Sequence, residues 1–287
     1  MALTLPCLVW SFSKTLETVT ERWIKRRPDR AMEQTSEPPL GFLAVQVDIH
    51  RPPGDPFNEQ TWPFPLIREK VSGTLESQLV TNGAYDDAFI DQFVEAGLKL
   101  AERGAVGIIT SCGFLAAAHT RYLSPFLLYK SFNHAKSTRL ASRLPIPVAT
   151  SALVQIPSLQ AIFPANRPIG VLTYDSGRLG HVHLREINID PNSVRVWGLA
   201  DDSHLRDICA RGAAYDAAAL EKELIHEAKA LVARHPEVVA IVLECTNMPP
   251  YADKIQEAVQ LPVYDVYTMG KWFYSGLQRR NPRNWTL

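Results

Sequence analysis

Two cysteines stand at equivalent places in the chain, each after a short apolar run. Cys112 follows residues 105–110 and Cys245 follows residues 238–243, and both runs have the length and composition of buried β-strands. In open α/β sheets, ligands bind beyond the carboxyl ends of the strands. A helix that starts there presents free N–H groups, which favour a thiolate over a thiol and also bind carboxylates. Two such thiols on either side of one cleft could act as opposed acid and base, which is the chemistry that inverts a stereocentre.

An internal repeat is the reason to expect that the two cysteines share a cleft. Gly41 precedes Cys112 by 71 residues, Gly170 precedes Cys245 by 75 residues, and an amphipathic helix comes before the cysteine strand in each half. Recurrence in a fixed order is how a structural repeat shows itself in a sequence. We therefore predict two pseudo-symmetric domains with the active site in the cleft between them.

The elements that must position these cysteines follow an α/β pattern. Helical segments alternate with predicted strands at residues 41–47, 105–110, 146–150, 169–174, 193–197, 238–243 and 262–265. Such alternation predicts mainly parallel sheets flanked by helices. We place a flexible N-terminal extension at residues 1–38, a first domain at 39–152 together with the C-terminal segment 262–287, and a second domain at 153–261.

The composition excludes several classes of protein. The 287 residues include 30 basic and 30 acidic side chains, so the net charge is zero and neither nucleic acid nor an anionic membrane surface is an expected partner. No apolar run reaches the ~18–20 residues of a membrane helix. The four cysteines are too few and too scattered for a disulfide scaffold or a metal site built on paired cysteines. The expectation is a cytoplasmic protein that acts on a small molecule and binds no metal.

Residues beside the two cysteines are candidates for binding that molecule. Gly113 and Asn247 would supply backbone N–H groups to a carboxylate or an enolate. Phe114 would make the pocket more apolar. Thr173 and Tyr174 end the strand of the second half that corresponds to the first strand of the chain.

Other residues offer different chemistry. Asp55 could pair with a substrate amine, although Gly-Asp-Pro is also an ordinary turn sequence. We assign Cys7 and Cys209 to structural roles, since a lone cysteine usually behaves as a small hydrophobe. His119 and His134 could each serve as the base of a single-cysteine hydrolase. His119, however, lies seven residues past the first active-site cysteine, or ~10 Å along a helix.

The two cysteine motifs resemble those of a known group of proteins. Thr110, Ser111, Cys112, Gly113 and Phe114 in the first half, and the run from Glu244 to Asn247 in the second, are similar to motifs of the aspartate/glutamate racemase superfamily. That superfamily includes glutamate, aspartate and hydantoin racemases, with maleate isomerases and arylmalonate decarboxylases as relatives. The resemblance covers roughly residues 39–277. It implies a cofactor-independent mechanism in which both cysteines exchange protons with a small carboxylate-bearing substrate.

The resemblance also implies further substrate contacts. The hydroxyl of Thr246 would hold the substrate carboxylate, Ser111 would line the site beside its cysteine, and Gln46, Asp48 and Asn58 lie at or after the first strand, where members of the superfamily contact substrate. Homodimers are common in that superfamily, so a homodimer is one expected assembly.

The sequence departs from the superfamily pattern at three positions. Asn247 stands where many glutamate racemases have His and some aspartate racemases have Glu, and Asn cannot act as an acid or a base. Gly113 and Phe114 stand where Asn and Thr are usual. These differences bear on the substrate more than on the mechanism.

Three functions follow as hypotheses. The first is a racemase or epimerase, an isomerase independent of pyridoxal phosphate, that uses both cysteines on an amino acid or a hydantoin-like molecule. The second is an isomerase or decarboxylase of the same superfamily in which one cysteine dominates. The third is a non-catalytic protein that binds a small molecule in the same cleft. Exchange of the substrate α-hydrogen with solvent deuterium distinguishes them, because only the first requires exchange that depends on both cysteines.

Overall fold

The computed structural model describes residues 37–83, 85–119, 140–164 and 166–279. Nearly all of the N-terminal extension, Cys7, His134 and the last eight residues of the chain lie outside these ranges. The elements described below all belong to the compact unit Pro38–Leu287.

Within the described ranges, eight strands form two parallel sheets. The first sheet contains β1 (Leu40–Val45), β2 (Leu66–Val71), β3 (Ile108–Thr110) and β4 (Val148–Ala149). The second contains β5 (Ile169–Thr173), β6 (Val194–Gly198), β7 (Ile241–Leu243) and β8 (Val263–Tyr264). The order is β2-β1-β3-β4 in one sheet and β6-β5-β7-β8 in the other, so each half arranges its strands in the same way.

The strand register supports the repeat at single-residue resolution. Gly41 pairs with Ile108 in the first sheet and Gly170 pairs with Ile241 in the second. In each half, the cysteine lies four residues after this isoleucine. The predicted α/β class with two similar parallel sheets is therefore confirmed.

Helices flank both sheets, and their ends follow the capping residues. They are α1 (Glu76–Leu79), α2 (Asp87–Glu102), α3 (Leu140–Arg143), α4 (Ile156–Ile162), α5 (His181–Glu186), α6 (His204–Arg211), α7 (Ala217–Arg234), α8 (Ala252–Val259) and α9 (Val266–Leu277). Asp86 caps α2 by accepting from the backbone N–H of Phe89, and Asp216 caps α7 in the same way. Both helices pack an apolar face on a sheet, as the sequence pattern predicts.

One strand was not predicted from the sequence. β2 carries Arg68, Glu69 and Lys70 in its centre, and it lies at the edge of its sheet, where most of its side chains are half-buried. An edge strand buries less apolar surface than a central strand, so its sequence lacks the apolar run by which the other seven strands were identified.

The last helix packs on the first sheet. Val266, Met269 and Tyr274 of α9 share an apolar cluster with Leu40 and Phe42 of β1. The strand before it, however, belongs to the other sheet, because β8 pairs with β7. Residues 263–264, which we assigned to the first domain, therefore pair within the second half. None of the helices in the described ranges has the length and apolar character needed to cross a membrane.

Candidate active site

A cavity opens where the carboxyl ends of β3 and β7 meet. It encloses about 520 Å³ of empty space, including the part open to solvent. Both halves of the chain contribute to its walls, which are formed by Val45, Val47, Ile49, Arg51, Leu79, Val80, Ser111, Cys112, Gly113, Phe114, Tyr174, Cys209, Glu244, Cys245, Thr246 and Asn247.

The structure brings both cysteine motifs into this cavity. Of the twelve residues predicted for the site, eight line it: Ser111, Cys112, Gly113, Phe114, Tyr174, Cys245, Thr246 and Asn247. All of them directly follow β3, β5 or β7. This placement follows from the parallel topology, which gathers the carboxyl ends of the strands at one edge of each sheet.

The other four predicted residues lie elsewhere. Gln46 and Asp48 are exposed, because β1 ends before either of them. Asn58 accepts from a backbone N–H to cap a single turn of 3-10 helix. Thr173 is fully buried behind the cavity wall, where its hydroxyl donates to a carboxylate oxygen of Glu244 at 2.7 Å. Thr173 therefore supports a wall residue instead of facing the cavity.

The two cysteines have different surroundings. Cys112 is half-buried at the start of a 3-10 helix, whereas Cys245 is 9% exposed. Burial raises the pKa of the Cys245 thiol well above its ordinary value, and the negative charges of Glu244, Cys209 and Cys112 add to this effect. The backbone N–H of Asn247 opposes the rise.

The predicted thiolate-stabilising helix end is therefore wrong for Cys245. The turn after this cysteine leads into a single turn of 3-10 helix, and α8 begins only at Ala252. The N–H groups of that helix are too far along the chain to offset burial and the neighbouring carboxylate. Burial and the neighbouring carboxylate therefore favour the thiol form of Cys245.

Glu244 is the main acidic group that the site prediction missed. Its side chain is 1% exposed, and burial raises its pKa from 4.5 to about 7, although hydrogen bonds from the Thr173 hydroxyl and the backbone N–H of Tyr174 lower it. Its other carboxylate oxygen, Oε1, is buried without a hydrogen-bond partner. The signal in the sequence was a carboxylate directly before the second cysteine, where the first half has Ser111.

The carboxyl of Glu244 explains why position 113 is glycine. A Cβ atom built on Gly113 would lie 2.1 Å from Oε1 of Glu244 and 2.5 Å from its backbone oxygen. Real Cβ atoms do not approach other heavy atoms so closely. The superfamily's usual side chain after the first cysteine is therefore excluded by a side chain of the other half.

A hydrogen-bond network joins the loop after β1 to the second cysteine. Asn247 donates through Nδ2 to Oδ2 of Asp55 at 3.0 Å, and its Oδ1 accepts from the thiols of Cys245 and Cys209, each at 3.8 Å. Asp55 is 1% exposed and does not line the main cavity, so the predicted pairing with a substrate amine has no geometric basis. Burial raises the pKa of Asp55, although Arg51, Asn247 and a backbone N–H oppose that rise.

Arg51 is the second residue that the site prediction missed. Its guanidinium donates to Oδ2 of Asp55 at 3.1 Å and to the backbone oxygen of Val47 at 3.4 Å, and it lines the cavity. It is the one Lys or Arg among the described wall residues. An arginine so placed can hold the carboxylate of a ligand through charged hydrogen bonds.

Thr246 and Cys209 both make contacts within the protein. The hydroxyl of Thr246 donates to the backbone oxygen of Ser111 at 2.5 Å, which ties the two cysteine motifs together. Cys209 packs against the core of the second half, as predicted, but it also lines the cavity, which the sequence did not indicate.

The hydrolase alternative gains no support from the geometry. His119 lies 3.1 Å from the hydroxyl of Thr150 through Nδ1, and burial lowers its pKa. It does not line the cavity. No cluster of three or more His, Cys, Asp or Glu side chains that could hold a metal ion occurs within the described ranges.

Comparisons with known proteins place this geometry in context. No family model matches the chain. A dimethylsulfoniopropionate lyase from Durusdinium sp. clade D is 27% identical over 268 residues, which cover 91% of this chain and 82% of that protein. Dimethylsulfoniopropionate lyase 5 from Emiliania huxleyi (strain CCMP1516) is 28% identical over 252 residues, 85% of this chain. The chain spans about half the length of that second relative, 46%.

Among solved structures, arylmalonate decarboxylase is similar over most of the chain. One crystal structure of it gives a TM-score of 0.53 at 16% identity, over 84% of this chain and 92% of the decarboxylase chain. An unliganded structure of the same enzyme gives 0.52 with the same coverage. Taken with the two sheets of identical strand order, this likeness shows that the chain has the fold of arylmalonate decarboxylase, one of the relatives that the sequence resemblance implied.

Proposed function

We propose that the protein is a lyase that removes the proton next to a carboxylate of a small substrate and then expels a leaving group from the neighbouring carbon. The observation that carries this proposal is one cavity lined by Cys112, Cys245 and Arg51, with mostly apolar walls. The relatives' names indicate dimethylsulfoniopropionate as the substrate class, a carboxylate joined by two carbons to a sulfonium group.

Arg51 would hold the carboxylate and stabilise the negative charge that grows on it. Loss of the α-proton converts a carboxylate into an enediolate, which concentrates additional charge on the same oxygens. A guanidinium already fixed by Asp55 is a preorganised counter-charge for that species.

A cysteine thiolate would remove the α-proton. Elimination needs one base, so the two cysteines should contribute unequally. We assign the base to Cys112, since Cys245 is buried beside Glu244 and is held as a thiol, whereas Cys112 is more open to solvent. The proton passes to the Cys112 sulfur, the electron pair forms a carbon–carbon double bond, and the carbon–sulfur bond breaks towards sulfur. The products are dimethyl sulfide and acrylate, and Cys112 returns its proton to water.

The apolar and aromatic walls suit the sulfonium end of such a substrate. Phe114 and Tyr174 line the cavity, and aromatic faces attract quaternary cations. The buried carboxyl of Glu244, when it is ionised above its raised pKa of about 7, adds negative potential on the same side as Cys245. The cavity therefore offers a positive group for the carboxylate and a negative, aromatic region for a cation.

Racemisation is the second candidate. Both cysteines line the same cavity, and a thiolate on one side with a thiol on the other is the arrangement that proton transfer across a stereocentre requires. Cys112 would then remove a proton from one face of the carbon, and Cys245, as a thiol, would donate its own proton to the opposite face.

The experiment is to incubate the full chain with dimethylsulfoniopropionate and to measure dimethyl sulfide by gas chromatography and acrylate by liquid chromatography. We expect Cys112→Ser to lower the rate by about 100-fold or more, the usual contribution of a general base. Arg51→Ala should raise KM by about 10- to 100-fold, as expected for a lost charged hydrogen bond. Glu59→Gln, which changes an exposed carboxyl in the same loop, is the matched control.

A panel of amino acids, hydantoins and substituted malonates in deuterated water tests the alternatives. Exchange of the α-hydrogen that disappears in both Cys112→Ser and Cys245→Ser, without release of dimethyl sulfide, would establish a racemase and overturn the lyase. Absence of elimination, exchange and decarboxylation across the panel would leave a binding protein.

A further inference from the structure

Asp55 connects two groups of the cavity without lining it. Its Oδ2 accepts from Arg51 at 3.1 Å and from Nδ2 of Asn247 at 3.0 Å, while its Oδ1 accepts from the backbone N–H of Phe57 at 2.8 Å. Arg51 belongs to the loop after β1, and Asn247 belongs to the turn after β7. One buried carboxylate thus holds both in place.

The same carboxylate fixes which end of the Asn247 amide faces the thiols. An amide has a donor end and an acceptor end, and the hydrogen-bond partners decide its orientation. Because Asp55 accepts from Nδ2, the carbonyl oxygen Oδ1 is turned towards Cys245 and Cys209, from which it accepts at 3.8 Å each. An acceptor in that position stabilises the protonated thiol.

We propose that Asp55 is a positioning residue that controls the protonation state of Cys245 through Asn247. The chain of contacts runs from the carboxylate to the amide and from the amide to the sulfur, so Asp55 acts on the active site without touching a substrate. The connection to Arg51 extends the same control to the carboxylate-binding end of the cavity, and that part of the inference rests on the proposed function.

The loop is held against the second half closely enough for this control to be rigid. Gly54 has a φ of +100°, and a Cβ atom there would lie 2.8 Å from Cα of Pro250, so the backbone before Asp55 packs directly on the segment after Asn247. The hydroxyl of Thr61 also donates to the backbone oxygen of Asp55 at 2.6 Å.

The substitution Asp55→Ala tests this arrangement. It removes Oδ2, the acceptor that holds Nδ2 of Asn247 and the guanidinium of Arg51. With that acceptor gone, we expect the amide of Asn247 to sample the orientation that presents Nδ2 to the sulfur of Cys245, where a donor stabilises the thiolate.

The measurement is the rate at which iodoacetamide alkylates Cys245, followed by mass spectrometry of its peptide from pH 6 to pH 9. It needs no substrate. We expect Asp55→Ala to raise the alkylation rate at pH 7 by about tenfold, because the thiolate is the reactive form and one hydrogen bond to a charged group shifts the equilibrium by about that factor. Glu59→Gln should leave the rate unchanged.

Asn247→Ala supplies the decisive comparison. If Asp55 acts through Asn247, Cys245 in the double variant that combines Asp55→Ala with Asn247→Ala should be alkylated at the same rate as in Asn247→Ala alone. Alkylation of Cys112 in the same samples reports any general loosening of the cavity, since a purely structural effect would accelerate both cysteines. An unchanged Cys245 rate in Asp55→Ala, or an effect that persists without Asn247, would overturn the proposal. Because alkylation is independent of turnover, this result stands apart from the success or failure of the elimination assay.

Discussion

Replacement of Glu244 by Gln should change how the stability of the protein depends on pH. Burial raises the pKa of this carboxyl from 4.5 to about 7, so the folded protein holds a proton that the unfolded chain releases. Each tenfold change in the acid constant corresponds to about 1.4 kcal/mol, and the full rise therefore amounts to about 3 kcal/mol.

The raised pKa of Glu244 decides how the free energy of unfolding changes with pH. A carboxyl whose folded-state pKa is raised favours the fold fully below pH 4.5, and this contribution is lost as the pH rises through about 7. Between pH 5 and pH 8 the free energy of unfolding of the parent protein should fall by about 2 to 3 kcal/mol on account of Glu244. Gln cannot ionise, so Glu244→Gln should lack this part of the decline.

The assay is urea unfolding at pH 5, 6, 7 and 8, followed by the fluorescence of the six tryptophans. Other buried groups contribute their own slopes, among them Asp265, whose pKa burial raises to about 6. They are present in both proteins and cancel in the difference. Parallel pH profiles for the parent and Glu244→Gln would refute the reasoning, because they would mean that Glu244 ionises normally in the fold.

Two further substitutions test packing and capping. Gly113→Ala places a Cβ against Glu244 and should lower the free energy of unfolding by about 3 kcal/mol or more. The control is Gly276→Ala, whose Cβ meets no atom within 4 Å and which should be neutral or slightly stabilising. Chemical denaturation measures both free energies, and equal stability of the two variants would contradict the close approach of Gly113 to Glu244. Asp86→Ala removes the carboxylate that accepts from Phe89 at the start of α2 and should cost about 1 kcal/mol in the same assay, with an unchanged midpoint as the opposing result.

Much of the fold could be read from the sequence because it depends on local patterns. Seven of the eight strands follow apolar runs, and α2 and α7 begin at the aspartates that cap them. The repeat was visible because Gly41 and Gly170 hold equivalent places in the two sheets. β2 was missed because a half-buried edge strand does not need an apolar run.

The site was predictable only where residues directly follow strands. Ser111 to Phe114 and Cys245 to Asn247 reach the cavity because parallel strands end at one edge. Arg51 was missed because it lies in the long loop after β1, and a loop has no periodic sequence pattern from which its path could be predicted. Gln46 and Asp48 were misplaced because β1 ends earlier than its apolar run suggested.

The sequence by itself determined the class of fold, the repeat and the pairing of Cys112 with Cys245, since these depend on residue type and spacing along the chain. The tertiary structure alone decided the chemical state of the site. Glu244 excludes a side chain at Gly113, Asp55 accepts a hydrogen bond that orients Asn247, and burial raises the pKa of the Cys245 thiol. Each of these effects acts across the two halves or through the loss of water, and desolvation and hydrogen-bond partners exist only once distant segments have met.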